Sequence, residues 1–516
     1  MGNAYSNYAS SRESSTSSNS SRTSRTTLGE SGKAQNVRRA IFNHSTAISN
    51  SGSRRRRTTS EAPTPEPMIK KAKLDTPTYL HQKLFVEGLK SDVVIKALDK
   101  TWRLHKIYLE QCDYFSVLFS ERWGTPEKNI YELEVVDSRV NVKGLENVFA
   151  SLYKNEIEID VENVSGVLAA ASMLNLVVVI DRCDDIMAES LSEDNILNFL
   201  ELSEAYGCTK TREASMLLLE RLFWKFSQKT TFLEKLTYDH LLEICCRRDL
   251  CICEGEKDLY HAIRRWFYIR GTKQLECTDS EMCKYFNSLP SGHFYKYHLL
   301  LRNIRFQHMI TSKRTMEKLK HDHLLGTDML DCMMKDLWNT LLVNEDKNEL
   351  PAEVKDDFFY SHCRRLGRHL DEGNKCWRWA GYDFGLDLVV RCQFKTIYLI
   401  RNFSRDHGLF QLSVRPKCRI HYRMVILSNR GEVLLDSGRK MCVLALDEKE
   451  VVGQVTGELE NVSIHLFYLA AVPGPASDSY WETVEGTSST EEPNSDESSV
   501  YHDSPDSESA ESMSSE

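Results

Sequence analysis

The sequence predicts a multidomain α+β chain. An α/β module, an all-α module and a β-rich, antiparallel sandwich-like module are set between two disordered tails. Three observations predict it. The ends carry few aliphatic residues and the middle is rich in them, so the overall hydrophobic fraction of 41% hides a split. Through the middle, apolar residues recur mainly at helical spacing, with β-branched runs only near the start. Further on, short β-rich runs separated by turn signals take over. A chain of 516 residues has room for about three domains.

The net charge of −9 is a sum of opposites. Residues 1–78 form a basic tail of Ser, Thr, Asn and Arg that cannot bury enough surface to offset chain entropy, so disorder is expected. Its opening, Met1-Gly2-Asn3-Ala4-Tyr5-Ser6, fits the acceptor pattern for N-myristoylation on Gly2, and equally an ordinary Ser-rich start. One acyl chain alone would give weak membrane contact, which a basic patch would reinforce. Arg54, Arg55, Arg56 and Arg57, a spacer, then Lys70, Lys71 and Lys73 resemble a bipartite nuclear import signal. The plainer reading is a solubilising or polyanion-binding run. Thr64-Pro65 and Thr76-Pro77 are candidate phosphorylation sites whose phosphates would weaken that patch.

Residues 474–516 form the acidic tail, which has no Lys or Arg from 478 onward and carries Ser504-Pro505. It reads as a solubility segment or a partner site. No secretory signal is expected, and the apolar run near Leu174 to Ile180 is too short to span a bilayer. With scattered cysteines, a nuclear or cytosolic protein with reduced thiols is expected. Acylation and nuclear import together would suit the inner nuclear membrane, with a further plasma-membrane or cytoplasmic pool and nuclear-envelope partners possible.

The first module covers residues 79–185. Tyr79 to Leu89 has apolar residues at helical spacing, Val93 to Ile95 reads as a strand, and Trp102 to Leu104 as its hairpin partner across an Asp99-Lys100 turn. His105 to Phe119 is helical, Ile130 to Val136 a strand, Val140 to Tyr153 helical, Glu156 to Asp160 a short strand, and Val161 to Cys183 helical. Asp92-Val-Val-Ile95, Leu104 to Leu109, Tyr114 to Phe119 and Phe149 to Tyr153, in that order, resemble the BTB (POZ) fold. The resemblance implies an α/β domain in which Asp92, His105 and Lys106 are structural. An Asp–His catalytic pair would need a nucleophile, and none accompanies it. It also implies homodimerisation through residues 79–89, whose stripe is either partner surface or core. Phe119-Ser120-Glu121 matches the spacing with which such domains bind cullin-3. The competing reading puts Phe119 in the core and Glu121 in a solvated loop.

Residues 186–303 read as amphipathic helices, followed by a helical connector, 304–355. Leu242 to Glu254, continuing through Leu259, Tyr260, Ile263 and Trp266, resembles the all-α BACK domain. Cys245, Cys246, Cys251 and Cys253 lack the Cys-x-x-Cys spacing of a zinc knuckle and read as packing residues, so no metal or cofactor is expected. His321-Asp322-His323 reads as an exposed loop.

Residues 356–473 carry the β-rich runs, at Cys376 to Ala380, Leu386 to Arg391, Phe394 to Ile400, Leu409 to Val414, Ile420 to Leu427, Glu432 to Leu435, Met441 to Leu446 and Val462 to Val472. Cys363-Arg-Arg-Leu-Gly-Arg368 followed by Cys376-Trp-Arg-Trp-Ala-Gly-Tyr382 resembles the opening of the germ cell-less C-terminal domain. With the two modules before it, the resemblance spans residues 79–472. It implies a non-catalytic, substrate-specific adaptor of a cullin-3 ubiquitin ligase at the nuclear envelope or in the nucleus, acting in germ cell formation and spermatogenesis. Its C-terminal domain would recruit a protein substrate. The alternative is a nuclear-envelope or transcription-associated scaffold that uses its BTB domain only to dimerise. Trp377 and Trp379 share one strand face, either core or binding surface. Arg364, Arg365, Arg368 and Arg378 are candidates for an outward, substrate-reading face. No zinc finger accompanies the BTB segment, so direct nucleic-acid binding is not expected.

Overall fold

The computed structural model describes residues 75–474, apart from 121–128, 155, 277, 291–292, 294–296, 311–312, 323, 346–348, 371–375, 383–385, 403–414 and 457–460. Gly2, the arginine cluster from Arg54 to Arg57, Lys70, Lys71, Lys73, Glu121, His323 and the expected strand Leu409 to Val414 lie outside the described residues.

The first helix, α1 (Thr76–Leu80), starts where the Asp75 carboxylate accepts from the Thr78 amide and a proline occupies the first turn. A wider π-helical turn, His81–Val86, continues it. Leu84 and Phe85 turn inward onto the core, whereas Tyr79, Val86 and Leu89 stay exposed. The stripe is therefore core on one side and free surface on the other.

Strands β1 (Val93–Ala97) and β2 (Lys100–Leu104) form an antiparallel hairpin, and β3 (Ile130–Glu132) joins β1 in parallel. The turn falls on Leu98 and Asp99, whose φ values are +48° and +60°. A two-residue turn with both φ positive matches the strand twist, so Lys100 belongs to β2 rather than to the turn. Around this sheet pack α2 (Lys106–Leu109), α3 (Asp113–Leu118), α4 (Val142–Lys154), α5 (Val164–Met173) and α6 (Val177–Glu189). The helix expected over Val161 to Cys183 breaks near Asn175, which has φ of +56°. Glu156 to Asp160 does not form the expected strand; Ile157 and Ile159 instead pack on the core as single side chains.

The all-α module follows with α7 (Ile196–Tyr206), α8 (Thr209–Phe226), α9 (Thr230–Lys235), α10 (Tyr238–Cys246), α11 (Glu256–Thr272), α12 (Asp279–Ser288), α13 (His298–Arg302), α14 (Phe306–Met309), α15 (Lys313–Asp322) and α16 (Thr327–Glu345). Helix α7 serves two cores: Phe199 and Leu202 face the first module, and Ile196 and Leu200 face the second. The expected connector is not a separate piece. Ile304, Leu319, Leu325, Leu330 and Met333 belong to the same core as Ile263 and Trp266.

After α17 (Asp356–His362) come β4 (Arg364–Leu370), β5 (Cys376–Tyr382), β6 (Leu386–Gln393), β7 (Thr396–Arg401), β8 (Lys417–Ser428), β9 (Val433–Asp436), β10 (Lys440–Ala445), β11 (Lys449–Gln454) and β12 (Val462–Leu469). One antiparallel sheet has the order β10-β8-β12-β4 with β9 beside β8; the other has the order β11-β7-β6-β5. Trp377 and Trp379 both point into the core between them. Phe394 is fully exposed and, with Lys395, forms the positive-φ turn ahead of β7 instead of starting it. Strand β4 escaped the expected set because its apolar signal is interrupted by arginines, two of which, Arg364 and Arg365, turn out to be buried.

Candidate functional site

The first candidate surface is α3. Phe115 is its fully buried residue and stacks on Phe119 at 5.5 Å between ring centres. Phe119 also meets Tyr131 edge-on at 5.3 Å, and Lys106 Nζ lies 5.6 Å from its ring centre. It is half-buried, so it closes the core and offers only an edge outward. The Ser120 hydroxyl donates to the Val117 carbonyl at 2.7 Å just past the helix end. The side chains that stand out are Ile107 on α2 and Tyr114 and Val117 on α3, which are 74%, 38% and 59% exposed. Tyr114 and Val117 are three residues apart and share a helix face. Sequence reasoning missed them, although the signal was present. Residues 113–119 carry more large apolar side chains than one face of a short helix can bury.

Asp92 and His105 belong to the frame of the module. The Asp92 carboxylate accepts from the Lys106 amide at 2.9 Å and anchors the start of α2. His105 is buried, with Nε2 2.9 Å from the Leu89 carbonyl and Nδ1 3.2 Å from the Tyr153 hydroxyl. A carbonyl can only accept, so Nε2 carries the proton and the hydroxyl donates to Nδ1. The same hydroxyl accepts from the His105 amide at 3.0 Å.

The second candidate surface is the arginine set, and here the outward basic face is corrected. Arg364 and Arg365 are buried between the all-α module and the sandwich. Arg365 makes a two-pronged bond to Glu256, Nε to Oε1 at 2.7 Å and Nη2 to Oε2 at 2.8 Å. Burial works against the Glu256 charge, but the Arg365 guanidinium outweighs it and holds the carboxyl below its usual range. Arg364 Nη1 donates to the His308 carbonyl at 2.6 Å. Arg305 crosses the other way, donating through Nη1 to the Cys363 carbonyl and through Nη2 to the Tyr360 carbonyl, both at 2.5 Å. Arg368 and Arg378 keep about half of their side chains exposed, yet each is paired: Arg368 with Glu254 at 2.5 Å, Arg378 with Asp387 at 2.5 Å.

Around these pairs the two modules interlock through backbone. The Glu254 amide donates to the Gly367 carbonyl at 3.0 Å. A Cβ on Gly367 would lie 2.0 Å from the Ile252 carbonyl oxygen, so only glycine permits this approach. His465 is buried beside it, with Nδ1 3.1 Å from the same carbonyl and Nε2 2.9 Å from the Ser463 hydroxyl. Burial lowers its pKa to about 4.

The remaining candidates are positioned by packing. Cys245 and Cys251 are buried, Cys253 is half-buried and Cys246 is exposed. Among the described residues no group of His, Cys, Asp and Glu is arranged to hold a metal. His321 and Asp322 do not lie in an exposed loop; they end α15. Asp322 is buried because it accepts from the Tyr260 hydroxyl at 2.5 Å and from Arg264 Nε at 2.7 Å. This network floors a cleft of about 410 Å³ lined from α11, α12, α14 and α15.

Comparison with known proteins follows the same modules. Residues 81–191 match the BTB/POZ domain family, and residues 196–284 match BACK, described as BTB And C-terminal Kelch. Protein germ cell-less of Drosophila melanogaster is 26% identical over 422 residues, 74% of each chain. Germ cell-less protein-like 1 of Mus musculus is 28% identical, over 76% of this chain and 78% of its own. Kelch-like protein 26 of Danio rerio is 26% identical over 35% of this chain, and the match covers 29% of its own length.

Proposed function

Because this chain belongs to the germ cell-less family of BTB–BACK proteins, we propose that it works as a non-catalytic, substrate-specific adaptor of a cullin-3 ubiquitin ligase. The observation that carries this reading is the exposed apolar set Ile107, Tyr114 and Val117 on α2 and α3. These side chains leave a hydrophobic face uncovered beside Phe119 and Ser120, and exposed aromatic and aliphatic groups of this kind anchor protein interfaces. The exposed side of the first helix, with Tyr79, Val86 and Leu89, is the proposed homodimer face. The sandwich recruits the substrate through its outer surface, with the outward parts of Arg368 and Arg378 within reach. The basic tail directs the protein to the nucleus, and a myristoyl group on Gly2 holds it at the nuclear envelope. The names of the relatives support a role in germ cell development.

The test is capture of the cullin-3 N-terminal region by the full chain. Val117→Asp lowers capture about tenfold or more and leaves the melting temperature unchanged, since Val117 faces solvent. Phe119→Ala lowers both, because it also opens the core. Undiminished capture by Val117→Asp, or none by the wild-type chain, removes the adaptor reading.

A further inference from the structure

The cleft above Asp322 has a charge pattern that its structural role does not explain. Its lining includes Lys257, Arg264, Arg314 and Lys318, against the carboxylates of Asp279 and Asp322. Arg264 is already committed to both carboxylates, at 2.8 Å and 2.7 Å. That leaves Lys257, Arg314 and Lys318 around the cleft with no salt bridge to another described residue. Three cations converging on one concavity repel each other and favour an anionic occupant.

The same chain supplies one. From residue 478 to 516 the sequence has no Lys or Arg, and it is rich in Asp and Glu. The chain reaches this segment from a fixed point on α16. The Val472 amide donates to the Asn344 side-chain oxygen at 3.1 Å, and the Gly474 amide donates to Thr340 Oγ1 at 3.0 Å. Thr340 lies about 20 Å along α16 from its start, and α16 begins at Thr327, shortly after α15 ends at Asp322 in the cleft wall. An extended chain covers that distance in about six residues. The acids from Glu482 onward can therefore reach the cleft.

We infer that the acidic C-terminal segment folds back in cis onto the basic cleft between α11 and α15, with carboxylates of Glu482, Glu485, Glu491 and Glu492 facing Lys257, Arg314 and Lys318. Bound there, it screens the cations. This contact is independent of cullin binding, so either can fail without the other.

Zero-length carbodiimide coupling of the full chain, read by mass spectrometry, tests it. Lys257 and Lys318 couple to acids in residues 482–497, and the yield falls about tenfold as salt rises to about 0.5 M. The combined variant Lys257→Glu, Arg314→Glu, Lys318→Glu loses the coupling. Lys355→Glu with Lys440→Glu, which line a different cleft beside β10, leaves it intact. A second variant spares the folded modules: Glu482→Gln, Glu485→Gln, Glu491→Gln and Glu492→Gln make Lys257 and Lys318 several-fold more reactive toward an acetylating reagent. Coupling spread evenly over Lys355 and Lys440 overturns the inference. So does coupling found only between isotopically distinct copies, or unchanged lysine reactivity in the glutamine variant.

Discussion

The all-α module has two junctions, and they place their ion pairs differently. Toward the BTB domain the centre is mainly apolar: Phe199, Leu202 and Cys208 join the BTB core and Leu191 packs against both cores. The Thr211 hydroxyl donates to Asp184 beside it, and the ion pairs Arg139–Glu201 and Lys210–Asp185 stay at the exposed rim. Toward the sandwich the junction is charged: Arg365–Glu256, Arg423–Asp249 and Arg368–Glu254 cross the boundary beside a small apolar cluster around Phe359 and Phe467. Apolar burial is non-directional and insensitive to salt. The charged junction is directional. A bidentate arginine fixes orientation as well as distance, so it sets how the sandwich is held against the all-α module. The difference teaches that the BTB and BACK domains are joined mainly by hydrophobic burial with ion pairs at the rim, whereas the sandwich is held in one pose by a buried charge pair.

The largest expected effect comes from unpairing that charged junction. Glu256→Ala leaves Arg365 buried without its carboxylate and costs about 3–5 kcal/mol in urea unfolding. Exchanging both partners for apolar residues of similar size, Glu256→Leu with Arg365→Met, recovers most of the loss. If the single and double variants are equally destabilised, the ion pair is not what holds the junction.

Next is the apolar junction. Leu202→Ala costs about 2–4 kcal/mol through the cavity it leaves. Its loss is the same at low and high salt, because Leu202 is buried among apolar side chains; a strong salt dependence would mean that the rim pairs Arg139–Glu201 and Lys210–Asp185 hold this junction.

Acid acts on the charged side. His465 has a folded pKa of about 4 against an ordinary value of 6.5. Below pH 6.5 the unfolded chain takes up a proton that the folded chain refuses, so this residue costs stability as pH falls from 6.5 to about 4. The loss is at most about 3 kcal/mol. Glu256 adds to it at the lower end: its depressed carboxyl supports the fold above the ordinary glutamate range, and that support is lost as pH falls through the folded value. In a His465→Asn variant, urea midpoints between pH 7 and pH 4.5 should fall less than in the wild type. Parallel curves would exclude His465 as a source of the acid sensitivity.

The smallest effect is expected at the rim. Arg368 and Glu254 are about half exposed, so Arg368→Ala changes stability by less than about 1 kcal/mol. A larger loss would mean that the rim orders the junction as its buried centre does.

The sequence by itself determined the order of modules and most of their elements. The hairpin of β1 and β2, the helices of the BTB and BACK domains and the shared strand face of Trp377 and Trp379 follow from hydrophobic periodicity, which is local and survives in one dimension. Only the tertiary structure decided the fate of polar side chains. Arg364 and Arg365 look like surface residues in sequence, because a charged side chain is normally solvated and its buried partner Glu256 lies 109 residues away. The same holds for Asp322, whose partners Tyr260 and Arg264 lie on a distant helix, and for Val117, which a helical stripe cannot tell from its buried neighbours. Burial of a charge depends on a partner brought close by the fold, and sequence spacing carries no record of that distance.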